Sequence, residues 1–140
     1  MDTVTTIKES IKISNQTDLP GKKILVVEDE PDYAKILFKT LSKHNHIPHT
    51  ALDGESALSS FDKHDFDIIS LDYQLPDMNG IEVYRSIRKK YPLIPIIFVS
   101  GNFEFMQSMI DLKKEDSNVD FISKPFTTEE YINKIHLWCE

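Results

Sequence analysis

Cysteine, long apolar runs and clustered positive charge are all scarce in this chain. Cys139 is the single cysteine among 140 residues, so no disulfide can form within the chain and a reducing compartment is expected. The longest apolar stretch, at residues 93–99, is far too short to cross a bilayer, and residues 1–20 lack the basic start and apolar centre of a signal peptide. These absences predict a cytoplasmic protein with no membrane contact.

The charge balance is acidic, with a formal net charge of −7. Proteins that bind nucleic acid or anionic membranes rely on clustered lysine and arginine. Here the basic side chains are scattered, except for one group on a predicted helix that we interpret as a solvated helix face. This group consists of Arg85, Arg88, Lys89 and Lys90. Direct binding to nucleic acid is therefore not expected.

Length and patterning indicate one folded domain. With 140 residues, 40% of them hydrophobic, the chain can bury one core of ordinary size. Residues 1–21 are polar and predict an N-terminal extension or linker, and residues 22–140 form the predicted domain. Strands are predicted at residues 22–27, 47–52, 68–71, 96–99 and 119–122, with a helix after each. This alternation predicts an α/β fold in which helices cover both faces of a parallel sheet.

Local signals mark where four of the helices begin. Pro31 suits the first turn of a helix, and Asp53 is a favourable N-cap residue. Asn79 and Thr127 each precede a glutamate by three residues, which is the spacing of a capping box. The helix boundaries therefore have a chemical basis that is independent of the apolar pattern.

Polar residues follow four of the predicted strands directly. Because the carboxyl ends of parallel strands meet at one edge of the sheet, we expect these side chains to converge there. Acids that are packed together raise each other's pKa values, and a divalent cation relieves their repulsion. The residues are Glu28, Asp29 and Glu30 after the first strand, Asp72 after the third, Ser100 after the fourth and Lys124 after the fifth.

Four motifs stand in a familiar order: ILVVEDEP, IISLDYQLPDMNG, PIIFVSG and FISKPF. Together they make residues 22–139 resemble the receiver domain, the phosphoacceptor module of bacterial two-component response regulators and hybrid histidine kinases. The resemblance implies a single-domain, flavodoxin-like (βα)5 fold with strand order 2-1-3-4-5. It agrees with the α/β fold that the apolar pattern predicts.

The resemblance also implies roles for residues of the predicted edge. Asp72 would accept a phosphoryl group from a sensor histidine kinase or a histidine phosphotransfer protein. Mg²⁺ would be the cofactor, because it prefers hard oxygen ligands. Ser100 would donate a hydrogen bond to the phosphoryl group, and Lys124 would pair with it as a positive charge. The implied metal ligands are Glu28, Asp29, Asp72 and the backbone carbonyl of Gln74.

A conformational switch is implied as well. In the family, the hydroxyl residue moves toward the phosphoryl group and an aromatic residue of the fifth strand turns inward, and these positions are Ser100 and Phe121 here. Phosphorylation would thereby alter the face formed by the fourth helix, the fifth strand and the fifth helix. We expect a downstream protein partner on that face, and a homodimer is possible. The protein would assist its own phosphorylation and slow dephosphorylation, without acting as an enzyme on a separate substrate.

The chain departs from the family pattern at several positions. Glu28 replaces the commoner aspartate, and Phe121 stands where tyrosine is frequent, so no phenolic hydroxyl is available there. The segment KKEDSNVD at residues 113–120 replaces a short turn before the fifth strand. The fourth helix and its exit loop are therefore the least typical region.

Two alternatives to a phosphorylated receiver can be compared with this chain residue by residue. A receiver-like binding module that is never phosphorylated would not need Asp29, Asp72, Ser100 and Lys124, all of which are present. A Mg²⁺-dependent phosphohydrolase of the haloacid dehalogenase type needs an aspartate two residues after Asp72, where this chain has Gln74. Whether the chain is a stand-alone regulator or part of a longer protein stays open.

Three closely spaced histidines could suggest a second metal site. They are His44, His46 and His49. Because neither cysteine nor an acid stands at ligand spacing beside them, we interpret them as surface residues.

Overall fold

Five parallel strands form the centre of the molecule in a computed structural model that describes residues 21–139. The sheet has the order β2-β1-β3-β4-β5, as predicted. The strands are β1 Lys23–Val27, β2 Ile47–Ala51, β3 Ile68–Asp72, β4 Ile96–Ser100 and β5 Val119–Ser123. The helices are α1 Pro31–Lys43, α2 Gly54–Lys63, α3 Gly80–Lys90, α4 Phe103–Glu115 and α5 Thr128–Leu137. The predicted extension at residues 1–21 lies outside the described residues except for Gly21.

Alternate residues of the strands pack into two cores, one on each face of the sheet. Leu25 and Ile69 lie in the core that α2, α3 and α4 cover, whereas Ile24 and Ile68 lie in the core that α1 and α5 cover. Neighbouring residues of one strand thus bury their side chains on opposite faces, as a strand with period 2 requires. This two-sided burial holds the carboxyl ends of the strands in register.

The predicted helix starts are present. The Asp53 side chain accepts a hydrogen bond from the Ser56 backbone N–H, at 2.7 Å. Thr127 and Glu130 form a complete capping box. The Asn79 side chain accepts a hydrogen bond from the Glu82 backbone N–H at 3.0 Å, without the reciprocal bond of a full capping box.

Among residues 21–139, none of the helices is long and apolar enough to span a bilayer.

The prediction that the basic face of α3 is solvated is wrong for Arg88. Its side chain is only 12% exposed, and its Nε donates to Asp116 Oδ2 at 2.7 Å. The Tyr84 hydroxyl donates to the same oxygen at 2.6 Å. Arg88 also donates to the backbone carbonyls of Ile94 and Asn118, at 2.6 and 3.1 Å. The unusual segment after α4 is therefore anchored to α3 through Asp116.

Candidate functional site

The backbone places four predicted site residues at the carboxyl edge of the sheet. Asp72 ends β3 and pairs in register with Val99 of β4. Glu28 directly follows β1, and its backbone N–H donates to Ala51 at 2.9 Å. The Lys124 backbone N–H donates to the carbonyl of Ser100 at 2.8 Å, which joins the ends of β4 and β5. Glu28, Asp72, Ser100 and Lys124 are thus brought together, as the sequence predicts.

The Lys124 ammonium lies between two buried carboxylates. Its Nζ is 2.9 Å from Glu28 Oε1 and 3.1 Å from Asp72 Oδ2. Glu28 is 1% exposed and Asp72 is 5% exposed. The lysine also lies over the Tyr33 ring, with its Nζ 4.9 Å from the ring centroid. One ammonium therefore faces two buried acids, and the negative charge is only partly compensated.

Asp29 completes a cluster of three acids. Carboxylate oxygens of Glu28, Asp29 and Asp72 all lie within 4.8 Å of one another. Over residues 21–139 this is the one group of three histidine, cysteine or acidic side chains that is close enough to hold a metal ion. Asp29 is exposed, so the cluster is open to solvent on one side. An oxygen-only ligand set with excess negative charge fits Mg²⁺.

The pKa values reflect this crowding. Burial raises the pKa of Glu28 to about 7; the Lys124 hydrogen bond opposes the increase and the Asp72 charge adds to it. Burial by itself would lower the pKa of Lys124, but its hydrogen bonds and attraction to Glu28 and Asp72 raise it well above the ordinary value. Lys124 therefore stays charged, while Glu28 can hold a proton near neutral pH even beside this ammonium.

The loop after β3 orients Asp72. The Gln74 backbone N–H donates to Asp72 Oδ1 at 3.0 Å. Gly80 lies so close to this turn that a Cβ atom there would be 2.8 Å from the Asp72 carbonyl oxygen and 2.9 Å from Tyr73 Cα. Because both neighbours are backbone atoms that cannot move aside easily, the loop requires glycine at this position.

Asp77 fastens the same loop to α2, a role that sequence reasoning missed. Its two carboxylate oxygens accept the backbone N–H groups of Gly54 and Glu55, at 2.8 and 2.9 Å. These bonds hold the pKa of Asp77 below its ordinary value. Since the partners are more than 20 residues away, no local motif marks the contact.

The two predicted switch residues occupy different surroundings. Ser100 is buried, and its hydroxyl oxygen accepts the Asn102 backbone N–H at 2.9 Å at the start of α4. Phe121 is half-buried on β5 and borders a groove of about 490 Å³ between α4 and α5. Met106 and Leu137 line the groove as well.

Asp120 connects the elements around this groove and was not identified from the sequence. Its carboxylate accepts hydrogen bonds from the Trp138 indole at 3.0 Å, Lys113 at 3.2 Å and Lys134 at 3.3 Å. Burial would raise its pKa, but the hydrogen bonds from Trp138 and the Phe121 backbone, with the nearby lysines, hold it below the ordinary value. Asp120 thus joins α4, β5 and the end of α5.

The fold has direct counterparts among known proteins. Residues 24–136 match the model of the response regulator receiver domain. The chain belongs to this family, whose members are CheY-like modules of two-component signalling. A phosphoacceptor role is general to the family.

Solved structures agree with this assignment. NtrX from Brucella abortus is 27% identical with a TM-score of 0.75, over 85% of this chain and 27% of that one. The receiver domain of Francisella response regulator 1452 is 25% identical with a TM-score of 0.75, over 85% of this chain and 97% of that one. The chemotaxis response regulator CheY4 of Vibrio cholerae is 25% identical with a TM-score of 0.75, over 84% of this chain and 98% of that one. The chain therefore spans about a quarter of NtrX and nearly all of the other two.

Proposed function

We propose that Asp72 accepts a phosphoryl group from a phosphohistidine of a sensor histidine kinase or a histidine phosphotransfer protein. The observation that supports this most directly is the position of Asp72, whose carboxylate lies 3.1 Å from Lys124 and beside two further acids in a receiver fold. A carboxylate oxygen of Asp72 forms the new P–O bond. The P–N bond to the donor imidazole breaks, and the leaving imidazole takes up a proton.

The side chains around Asp72 position and neutralise the transferring group. Lys124 faces the Asp72 carboxylate and offsets negative charge on the phosphoryl oxygens. The Ser100 hydroxyl lies at the adjacent strand end and donates a hydrogen bond to the same group. The protein thereby assists its own phosphorylation and slow dephosphorylation and acts as a switch, without a separate substrate.

Mg²⁺ is the proposed cofactor. Glu28, Asp29, Asp72 and the backbone carbonyl of Gln74 would hold it, and it would supply positive charge beside the transferring phosphoryl group. The acid cluster supports this assignment because its three carboxylates offer hard oxygen ligands in close proximity. Relief of the repulsion between these acids favours binding of a divalent cation.

The proposed output is the face of α4, β5 and α5. Movement of Ser100 toward the phosphoryl group and rotation of Phe121 would change the groove that Phe121 borders. A downstream protein, or a second copy of this chain, would bind there. Direct nucleic acid binding is not part of the proposal, since the net charge is −7. The cytoplasmic location stays a prediction.

Phosphorylation by acetyl phosphate tests the proposal. Wild-type protein and the Asp72→Asn and Asp62→Asn variants are incubated with and without Mg²⁺ and analysed by intact mass. We expect one added phosphoryl group in the wild type and in Asp62→Asn, only with Mg²⁺, and none in Asp72→Asn. Asp62 is a matched control because its carboxylate is 65% exposed and lies outside the site. Failure of the wild type to gain a phosphoryl group, with Mg²⁺ binding intact, would favour a binding module that is not phosphorylated.

A further inference from the structure

Three histidines meet at the edge of the sheet opposite Asp72. His44 caps the end of α1, His46 immediately precedes β2, and His136 lies in the last turn of α5. The Nε2 atoms of His46 and His136 are 3.1 Å apart, and the ring centroids of His44 and His136 are 5.6 Å apart. His46 is 5% exposed, so the prediction of a surface residue is wrong for it.

The hydrogen bonds assign the tautomers of this pair. The Lys22 backbone N–H donates to Nδ1 of His46 at 3.2 Å, so Nδ1 carries no proton. The neutral His46 ring therefore has its proton on Nε2 and donates it to Nε2 of His136. His136 must then be protonated on Nδ1 alone. Because Nε2 of His46 carries a proton, it has no free lone pair facing His136. The two rings are therefore not arranged to share a metal ion.

One added proton breaks this chain of hydrogen bonds at either ring. A proton on Nδ1 of His46 would face the Lys22 backbone N–H, so two donors would meet and no acceptor would remain between them. A proton on Nε2 of His136 would oppose the Nε2–H of His46 in the same way. Protonation of His46 thus breaks its bond to the residue before β1, and protonation of His136 breaks the bond between the end of α5 and the start of β2.

The groups around the pair also disfavour a positive charge. Burial, followed by the influence of His136, His44 and Lys22, lowers the pKa of His46 to about 4. Burial and then His44 lower the pKa of His136. These neighbours come from α5, α1 and the segment before β1, and none of them is an acid. Asp67, which precedes β3, accepts the Lys23 backbone N–H at 2.8 Å and does not bond to either ring.

We propose that His46 and His136 form an acid-sensitive latch, which holds the last turn of α5 to the start of β2 while both rings are neutral. Acid thereby favours release of the end of α5, including Trp138, whose indole N–H donates to Asp120. The latch is independent of Asp72 and of phosphorylation. The end of α5 would thus respond to pH in addition to phosphorylation of Asp72.

The direction of the pH effect follows from the two protonation states. The released ring of His46 has the ordinary pKa of 6.5, and the held ring has a pKa of about 4. The latch is therefore fully stabilising above about pH 6.5 and weakens as the pH falls toward 4. At about pH 5.5 the ratio of released to latched molecules should be about tenfold higher than at neutral pH. Asp120 stays ionised there because its pKa lies below the ordinary value.

Long-range ¹H–¹⁵N NMR of the full chain tests the tautomers at about pH 7.5. The proposal requires a proton on Nε2 of His46 and on Nδ1 of His136. Any other pair of tautomers would overturn it, and this measurement needs no variant. It is also independent of whether Asp72 accepts a phosphoryl group.

Amide exchange then tests the release of α5. We expect exchange at residues 135–138, corrected for the intrinsic rate, to rise about tenfold between about pH 7.5 and 5.5 in the wild type. His136→Gln should remove this pH dependence. The control is the double variant His49→Gln and His64→Gln, which alters a second histidine pair whose ring centroids are 5.0 Å apart. It should keep the wild-type profile; an unchanged profile in His136→Gln, or a flat wild-type profile, would contradict the latch.

Discussion

At the scale of single residues, we expect the lysine that neutralises the site to compete with a bound metal ion. Lys124 contacts both Glu28 and Asp72, and its side chain is 24% exposed. A divalent cation beside the same carboxylates would be repelled by the ammonium, while the proposed reaction would need the ammonium to offset phosphoryl charge. Metal affinity and phosphorylation should therefore respond to Lys124 in opposite directions.

Replacing Lys124 by methionine separates the two effects. We expect Mg²⁺ to bind about tenfold more tightly, because a positive charge is removed beside the acid cluster. Phosphorylation by acetyl phosphate should nevertheless slow by at least about tenfold, because nothing replaces the ammonium. Calorimetric titration with Mg²⁺ and intact mass over time measure the two effects. Lys90→Met, at a lysine that is 67% exposed, should change neither; equal or weaker Mg²⁺ binding in Lys124→Met would contradict the competition.

At the scale of elements, Arg88 of α3 holds the atypical segment after α4. Its guanidinium bonds to Asp116 and to the backbone carbonyls of Ile94 and Asn118. Although burial acts in the opposite direction, the hydrogen bonds from Arg88 and Tyr84 lower the pKa of Asp116. The connection before β5 is therefore bonded to α3 directly before the strand that carries Phe121.

Replacing Arg88 should destabilise the folded domain, because these hydrogen bonds are lost. We expect Arg88→Ala to lower the free energy of unfolding by about 2–4 kcal/mol, because Asp116 and the carbonyl oxygens of Ile94 and Asn118 lose a largely buried donor. Arg85→Ala, at an exposed position of the same helix, should change it by less than about 0.5 kcal/mol. Urea unfolding measures both values. Similar losses in the two variants would show that the Arg88 contacts contribute little.

At the scale of the whole molecule, we expect metal binding at the acid cluster to be coupled to folding. Mg²⁺ that binds only the folded chain should raise the free energy of unfolding by about 2.7 kcal/mol at a concentration 100 times its dissociation constant. Chelation should reverse the gain. Asp29→Asn should lose most of it, whereas Asp32→Asn, an exposed acid in the first turn of α1, should keep it. Urea unfolding with and without Mg²⁺ decides this, and equal gains in both variants would place the bound ion elsewhere.

The order of strands and helices and the residues at the strand ends could be predicted from the sequence by itself. The signals are local: apolar runs with period 2 or 3.6, cap residues such as Asp53 and Thr127, and polar residues directly after a strand. Once the strands are parallel, Asp72, Ser100 and Lys124 must lie at one edge. Their convergence therefore needs no knowledge of side-chain packing.

Which polar side chains are buried, and what they contact, depends on how the elements pack in the folded chain. Arg88 looked like its exposed helical neighbours, and His46 like a surface histidine, until Asp116 and His136 were brought beside them from 28 and 90 residues away. Asp77 and Asp120 likewise acquire their partners across different elements. A local pattern records whether a residue faces a core, but it does not record which distant donor or acceptor the fold places opposite that residue.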